Sequence, residues 1–275
     1  MEIYANAKIN LALDVLGERE DGYHEVDMIM QELDLHDVIN IEQGRGGFAL
    51  TCDNADLPLD EDNLVYKVWK LLQPLASNDS VVIEIEKNIP IAAGLAGGST
   101  DAAATLVGLN RMWSLGLSDK ELMEYACKIG SDVPFFINGG TQRAQGRGEI
   151  LTKLESYTGK YVVLVNNGEH ISTRFVYEKV NRNGNIKIDE LIKAMEINSR
   201  KAFSYMENQL ETVSFEIHPK LAEIKEEMLK MGASISLMSG SGPTIFGIFD
   251  RYEAAEKAYQ LFKEKYKHVF LTHTI

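Results

Sequence analysis

Residues 90–104 form a glycine- and alanine-rich segment that leads from a β-rich stretch directly into an alanine-rich helix. Because Gly94, Gly97 and Gly98 carry no Cβ, the backbone there can turn sharply and approach a ligand closely. The first amides of a helix have no intrahelical acceptor, and the helix dipole adds partial positive charge at that end. The segment therefore predicts a phosphate-binding turn at a helix start.

The same segment excludes two common nucleotide-binding patterns and leaves a plainer alternative open. It has no lysine before Ser99 and Thr100, as a P-loop requires, and its glycine spacing does not match Gly-x-Gly-x-x-Gly. A simple strand-to-helix connection would also explain it, with Ser99 or Thr100 as the N-cap and Asp101 in the first turn. Phosphate binding therefore needs support from other parts of the chain.

The composition is that of a globular protein with room for two domains. Of its 275 residues, 45% are hydrophobic and 25% are charged. No segment approaches the roughly 20 apolar residues of a membrane span. Residues 1–5 show no basic start followed by an apolar stretch, so no secretory signal is predicted. We expect a cytoplasmic protein without a membrane partner.

Net charge and cysteine content limit the classes of partner and metal site that the chain can have. The formal net charge of −13 disfavours nucleic acid, whose binding depends largely on Lys and Arg, but does not disfavour a small nucleotide. Cys52 and Cys127 are far apart and lack a Cys-x-x-Cys pattern, which suits a reducing compartment and excludes a cysteine metal site. The six histidines lack ligand-like spacing, so a metal-dependent hydrolase is the weakest alternative.

Hydrophobic periodicity predicts an α+β chain. Residues 2–15 alternate as a half-buried strand with Lys8 and Asn10 on its polar face. The order of elements after residue 158 fits a split β-α-β arrangement with added helices, so we expect domains at 1–157 and 158–275. Further strands are predicted at 26–35, 38–42, 48–52, 80–87, 161–165, 234–238, 244–249 and 269–274, and helices at 64–75, 99–115, 119–129, 173–180, 188–197, 202–213, 219–231 and 252–265.

Three segments occur together: the strand with Lys8, the glycine-rich turn, and a second glycine turn at 238–244. In this order they resemble the three motifs of the GHMP kinases, the superfamily named for galactokinase, homoserine kinase, mevalonate kinase and phosphomevalonate kinase. The resemblance runs nearly end to end. It implies a two-domain fold, with an N-terminal domain of mixed sheet and helices and a C-terminal ferredoxin-like domain.

Within the superfamily the chain is most similar to the 4-diphosphocytidyl-2-C-methyl-D-erythritol kinases. That family phosphorylates the 2-hydroxyl of its substrate with ATP in the non-mevalonate isoprenoid precursor pathway. The stretches that carry the similarity are residues 7–11 (AKINL), 21–25 (DGYHE), 94–103 (GLAGGSTDAA) and 130–136 (GSDVPFF).

The resemblance implies a catalytic pair, Lys8 and Asp132. Asp132 would accept the proton of the attacking hydroxyl, and Lys8 would orient the hydroxyl and the carboxylate. Such a pair is sufficient chemically, because phosphoryl transfer depends mainly on positioning and electrostatic stabilisation. An ionised acid beside the apolar residues 133–136 is costly to bury alone, so a lysine partner makes physical sense.

The resemblance also implies an ATP site on the glycine-rich turn, with Mg²⁺ accompanying ATP and its ligands unassigned. Asn63 and Lys87 match positions that line the adenosine pocket in the family, with a helix cap and an exposed strand-end lysine as plainer alternatives. Alanine at position 96, where many members have glycine, predicts no easy positive φ there. The expected ATP-binding residues of the turn are Pro90, Ile91, Ala92, Ala93, Gly94, Leu95, Ala96, Gly97, Gly98, Ser99 and Thr100.

For the substrate, a cytidine diphosphate derivative, the resemblance places Tyr23 and His24 at the base. Tyr23 offers a flat face for the cytosine ring, and His24 can hydrogen-bond its edge. Tyr177 occupies the position of an aromatic that stacks on the other side, Thr173 that of a ligand-contacting threonine, and Asn10 would contact substrate beside Lys8.

Two other functions stay open. Another GHMP-type kinase, acting on homoserine or mevalonate, is disfavoured by Tyr23, His24 and Tyr177, since those alcohols have no base to stack. A nucleotide-binding regulator without catalysis is disfavoured by the presence of both Lys8 and Asp132. The sequence does not predict the oligomeric state.

Overall fold

The structure of the protein, a computed structural model, describes residues 1–181 and 184–275. Packing divides the chain into two compact units that are discontinuous in sequence. The first unit comprises Met1–Ala7, Leu35–Ile91 and Ala96–Gly139, and the second comprises Lys8–Asp34, Ala92–Leu95 and Gly140–Ile275. The predicted family domains at 1–157 and 158–275 stay a prediction.

Two long strands, β1 (Glu2–Glu18) and β2 (His24–Gln43), contribute residues to both units. The prediction of two separate strands at 26–35 and 38–42 was wrong, because β2 continues through them without a break. Asp37 lies buried within this strand, where its carboxylate accepts the backbone amides of Asn88 and Ile89.

The first unit packs helices against sheet. Its elements besides β1 and β2 are β3 (Phe48–Cys52), α1 (Leu64–Leu72), a 3-10 helix (Gln73–Leu75), β4 (Val81–Glu86), α2 (Gly97–Met112), α3 (Asp119–Ile129) and α4 (Phe135–Asn138). Strand β4 pairs antiparallel with the second half of β2 and parallel with β3. Gly108 lets α2 approach the sheet, since a Cβ there would lie 2.3 Å from Cδ1 of Ile41.

Local capping explains where two of these helices begin. The side chain of Asn63 accepts the amide of Val65 at the start of α1. Ser118 and Glu121 form a reciprocal capping box at the start of α3. Both helix starts follow the sequence-based prediction, because capping depends on residues only two or three positions apart.

The second unit contains a four-stranded antiparallel sheet covered by helices. Its elements after β2 are β5 (Thr141–Gly146), β6 (Ile150–Lys153), β7 (Tyr161–Asn166), α5 (Thr173–Lys179), α6 (Ile188–Glu196), a 3-10 helix (Arg200–Tyr205), α7 (Glu211–Ile217), α8 (Lys220–Lys230), β8 (Ile235–Met238), β9 (Ile245–Phe249), α9 (Tyr252–Lys263) and β10 (His268–His273). The sheet has the strand order β10-β7-β9-β8. Gly247 on β9 lets α8 pack closely, since a Cβ there would lie 2.3 Å from Cγ of Met228. The order β7-α8-β8-β9-α9-β10, with helices added after β7, confirms the predicted split β-α-β arrangement.

The sheet of the first unit has the strand order β3-β4-β2, and β1 pairs with β2. In the second unit, residues Val26 to Gln31 of β2 pair antiparallel with β5, and β5 pairs with β6. This arrangement confirms the predicted combination of a mixed sheet with helices and a second, ferredoxin-like sheet.

Two details of the prediction were wrong in the second unit. The expected helix at 202–213 is interrupted, because Leu13 on β1 exchanges backbone hydrogen bonds with Glu207 and Gln209 and holds that segment extended. The polar face of β1 is also not half-exposed: Lys8 and Asn10 are 4% and 1% exposed. Contacts between segments that are distant in sequence cause both the interruption of the helix and the burial of Lys8 and Asn10.

Within residues 1–181 and 184–275, no helix combines the length and apolar character needed to cross a membrane.

Candidate active site

The glycine-rich turn adopts left-handed backbone at three positions, Ala92, Gly94 and Ala96, with φ of 53°, 76° and 60°. The prediction that alanine excludes a positive φ at position 96 was wrong. Such a conformation costs a non-glycine residue roughly 1–2 kcal/mol, so the surrounding packing must hold it. The glycines at 97 and 98, which we expected to provide the turn, instead lie in the first turn of α2.

The helix begins earlier than predicted and has no side-chain cap. Ala96 is the N-cap residue of α2, so neither Ser99 nor Thr100 caps the helix. The amide of Thr100 donates to the carbonyl of Ala96, which is the first bond of the helix. An uncapped helix start keeps its first amides available for an anion, as a phosphate site requires.

In the second unit, the turn at Gly94 packs backbone to backbone against the second glycine turn. A Cβ on Gly94 would lie 2.3 Å from the carbonyl oxygen of Ser239. The hydroxyl of Ser239 donates to the carbonyl of Gly94 at 2.9 Å. Two motifs that are about 145 positions apart in sequence are therefore in direct contact.

Lys8 lies at this contact. Its Nζ donates to Oδ1 of Asn10 at 2.6 Å, and its backbone amide donates to the carbonyl of Leu95 at 3.2 Å. The same oxygen of Asn10 accepts the amide of Gly240 at 3.0 Å. The position that a Cβ would take on Gly240 is 3.7 Å from Nζ of Lys8. The structure thus brings Lys8 together with Asn10 and both glycine turns.

Residues that the sequence-based analysis missed hold the second glycine turn in place. Nδ2 of Asn208 donates to the carbonyls of Met238 and Gly240 at 2.7 and 2.8 Å. The carboxylate of Glu211 accepts the amide of Met238 at 2.7 Å. Burial raises the pKa of Glu211, and the neighbouring Lys225 opposes that rise.

The sequence offered one signal for Asn208, which lies two residues before Leu210. Its side chain accepts the backbone amide of Leu210, as a local cap would. That pattern predicts a local cap, and nothing in it indicates a contact with a turn about 30 residues later. Burial of Asn208 depends on the pairing of the neighbouring residues with β1, which sequence alone did not predict.

Four predicted substrate residues of the second unit make three sets of contacts. The rings of His24 and Tyr177 lie together, with centroids 5.2 Å apart. Tyr23 is half-exposed, and the guanidinium of Arg147 lies 5.0 Å from its ring centroid. Thr173 has a different partner. Its hydroxyl oxygen lies 2.8 Å from the hydroxyl oxygen of Ser241 in the second glycine turn.

In the first unit, Asp132 lies half-buried in the turn between α3 and α4. Asp132 and Lys8 belong to different units, and their pairing stays a prediction. Asn63 is the N-cap of α1, as its plainer interpretation expected, and its Nδ2 also donates to the carbonyl of Pro58. Its role in the adenosine pocket also stays a prediction.

Lys87 is not the exposed strand-end lysine of the plainer interpretation. Its side chain is 2% exposed and forms ion pairs with Asp37 and Asp101. Burial alone would lower the pKa of Lys87, but the two carboxylates outweigh it and raise the pKa above its ordinary value. Burial raises the pKa of Asp101 to about 8; Lys87 opposes the rise and Asp37 adds to it.

Among the residues that the structure describes, no group of three or more His, Cys, Asp or Glu side chains is arranged to hold a metal ion.

Comparison with known proteins decides the family. The models for the GHMP kinases N terminal domain and the GHMP kinases C terminal domain match residues 63–140 and 184–268. A protein of Clostridium botulinum (strain Eklund 17B / Type B) named 4-diphosphocytidyl-2-C-methyl-D-erythritol kinase is 46% identical, with 100% of both chains covered. The chain belongs to this kinase family. A family member from Clostridium novyi (strain NT) is 44% identical over 98% of the chain and 99% of its own length.

Solved structures agree with this membership. A crystal structure of 4-(cytidine 5'-diphospho)-2C-methyl-D-erythritol kinase superposes with a TM-score of 0.87 at 30% identity, covering 100% of this chain and 99% of that one. Homoserine kinase from Cytophaga hutchinsonii gives a TM-score of 0.80 at 18% identity, covering 100% and 94%. The second likeness shows that the chain shares its fold with a homoserine kinase.

Proposed function

We propose that the protein transfers the γ-phosphoryl group of ATP to the 2-hydroxyl of 4-diphosphocytidyl-2-C-methyl-D-erythritol, in the cytoplasm, as a step of the non-mevalonate isoprenoid precursor pathway. The observation that carries this proposal is the 46% identity to a kinase of that name over the full length of both chains. The arrangement of the glycine turns around Lys8 supports it.

The phosphates of ATP bind at the start of α2 in this proposal. The uncapped amides that follow Ala96 supply hydrogen-bond donors, and the helix dipole favours the negative charge. Asn63 lies at the start of α1 and contributes to the adenosine pocket. Mg²⁺ enters with ATP as part of the substrate and neutralises charge on the phosphate oxygens.

In the transfer step, the substrate hydroxyl oxygen forms a bond to the γ-phosphorus while the bond to the ADP oxygen breaks. Asp132 accepts the hydroxyl proton, and Lys8 orients the hydroxyl and stabilises the developing negative charge. The hydrogen bond from Lys8 to Asn10 keeps the amine oriented on β1. The products are ADP and the phosphorylated alcohol, and the proton then passes to solvent.

The cytidine end of the substrate is recognised by aromatic side chains of the second unit. Tyr23 is exposed enough to stack on a base, and His24 and Tyr177 are already in contact with each other. Thr173, held against Ser241, completes the substrate side. Mevalonate and homoserine have no ring for these residues to bind, which favours the cytidine substrate.

A side-by-side assay tests the proposal. Purified protein with ATP and Mg²⁺ is offered diphosphocytidyl-methylerythritol, mevalonate or homoserine, and ADP release is measured. We expect turnover with the cytidine compound alone. Turnover with mevalonate or homoserine instead would assign a different GHMP activity, and ATP binding without any turnover would indicate the non-catalytic regulator.

A further inference from the structure

Three ionisable side chains lie buried together beneath the start of α2. The amine of Lys87, at the end of β4, contacts a carboxylate oxygen of Asp37 on β2 and lies 2.7 Å from one of Asp101 on α2. All three side chains are at most 2% exposed. A group of this kind costs desolvation energy, which its ion pairs and hydrogen bonds must offset.

The contacts of this cluster join both flanks of the glycine-rich turn. On the flank that precedes the turn, Oδ1 of Asp37 accepts the amides of Asn88 and Ile89 at 2.6 and 2.8 Å. On the flank that follows it, Asp101 belongs to α2 itself. The chain from residue 90 to residue 96 is therefore anchored at its two ends by one set of ion pairs.

Lys87 also lies directly under the first residue of the helix. A Cβ on Gly97 would be 3.0 Å from Nζ of Lys87 and 3.1 Å from Cγ2 of Ile89. The glycine thus lets the helix start rest on the amine and on the strand end. Movement of the amine would move the amides that are proposed to bind phosphate.

The charge balance of the cluster fits an anion site above it. Within the described part of the chain, Oδ1 of Asp101 is buried and has no hydrogen-bond partner, whereas Oδ2 accepts from Lys87. An ionised oxygen without a donor is costly in such surroundings, so a proton on Asp101 is favoured. With that proton, Lys87 and Asp37 balance each other and add no net negative charge beneath a bound phosphate.

We propose that Lys87, Asp37 and Asp101 act as a positioning cluster that sets the conformation of the glycine-rich turn for ATP without touching the nucleotide. The inference rests on the proposed function insofar as the turn binds ATP phosphates. It assigns Lys87 to the support of the phosphate site and not to the lining of the adenosine pocket.

Lys87→Met provides the main test, with Asn110→Ala, at the end of α2 that lies away from the cluster, as its control. Asn110 fixes the far end of α2 by exchanging two hydrogen bonds with Leu117, so its loss weakens the helix away from the turn. MgATP affinity is measured by titration calorimetry, and KM for ATP and for the cytidine substrate by ADP release. We expect Lys87→Met to weaken ATP binding by about tenfold or more and to change KM for the cytidine substrate by less than about twofold.

Asn110→Ala should lower the melting temperature and leave ATP affinity at the wild-type value. If Lys87→Met lowers the melting temperature in the same way but binds ATP like the wild type, the cluster is only structural and the proposal fails. If Lys87→Met does not fold, the variant Lys87→Met with Asp37→Asn removes the two charges that balance each other and takes its place. ATP affinity of that variant within about twofold of the wild type would overturn the proposal.

Failure of the proposed function would look different. A wild-type protein that binds MgATP but does not phosphorylate the cytidine compound would contradict the activity. The calorimetric comparison of Lys87→Met with Asn110→Ala would still decide the role of the cluster, because it measures ATP binding and needs no turnover.

Discussion

The amine of Lys8 donates to the side-chain oxygen of Asn10 across 2.6 Å, and both side chains are almost completely buried on β1. The same oxygen accepts the amide of Gly240, so one amide group joins the proposed catalytic lysine to the second glycine turn. The orientation of Lys8 therefore depends on Asn10.

Asn10→Ala should lower kcat by about tenfold or more, because the amine of Lys8 and the amide of Gly240 both lose their buried acceptor. KM for ATP should change much less. Steady-state kinetics check this, with Asn40→Ala on β2 as a control for loss of a strand asparagine. Equal kcat in the two variants would separate Asn10 from the orientation of Lys8.

Asp132→Asn should reduce turnover by about 10²–10⁴-fold, since the amide cannot accept the hydroxyl proton. ATP binding should survive, because Asp132 is not part of the turn or of α2. The control is Asp119→Asn at the exposed start of α3, which removes an equal charge. Near-normal turnover in Asp132→Asn would exclude it as the base.

Tyr23→Ala should raise KM for the cytidine substrate by about tenfold, the loss expected for one base-stacking contact, and leave KM for ATP nearly unchanged. Tyr4 is a comparably exposed tyrosine in the first unit, where its ring stacks on His36, so Tyr4→Ala serves as the control. Equal rises in both KM values for Tyr23→Ala would contradict a stacking role.

A comparison of Gly94→Ala with Gly116→Ala separates the effect of backbone strain on stability from the effect of close packing. Both glycines are left-handed, with φ of 76° and 69°, so each substitution carries a conformational cost of roughly 1–2 kcal/mol. Only Gly94 also meets a neighbour, the carbonyl of Ser239, at 2.3 Å; around Gly116, nothing in the described residues lies within 4 Å of the added Cβ.

We therefore expect Gly94→Ala to lower the free energy of unfolding by about 1–3 kcal/mol more than Gly116→Ala, and to impair ATP binding. Urea denaturation and ATP titration measure the two effects. Similar losses of stability in the two variants would mean that the glycine turns can move apart to accept a methyl group.

The free energy of unfolding should depend on pH through Asp101. Burial raises its pKa to about 8 in the folded protein, whereas an unfolded aspartate has a pKa of about 4. Between these values the folded state keeps a proton that the unfolded state has lost, so stability falls as pH rises to about 8 and then levels off.

Asp101→Asn does not titrate, so its free energy of unfolding should fall less steeply between about pH 5 and pH 8 than that of the wild type. Urea denaturation at several pH values checks this. The charged groups that act on Asp101 are Lys87 and Asp37, and both remain in the variant. Parallel profiles would show that Asp101 is already ionised in the folded protein.

Local patterns predicted much of the secondary structure. Helices α1 and α3 begin at the predicted residues, and their caps Asn63 and Ser118 act on amides only two or three residues away. Strand β3 and helix α3 have the predicted bounds for the same reason: alternation and helical periodicity are properties of neighbouring residues. The family and the proposed reaction also followed from short motifs, since these carry the resemblance to the kinase family.

Long-range contacts account for the errors. Ala96 was expected to avoid a positive φ, yet it is left-handed at the start of α2. The helix expected at 202–213 is interrupted where Glu207 and Gln209 bond to Leu13. A prediction from neighbouring residues cannot include a hydrogen bond to a strand that lies almost 200 positions earlier.

The order of residues was enough to indicate a phosphate-binding turn, a lysine on a strand and an acid before an apolar run, because each is a local pattern with its own chemistry. Only the folded chain decided that Asn208 and Glu211 hold the second glycine turn, and that Lys87 is buried between Asp37 and Asp101. Burial and partner choice depend on which distant segments meet, and desolvation then changes what a charged side chain can do.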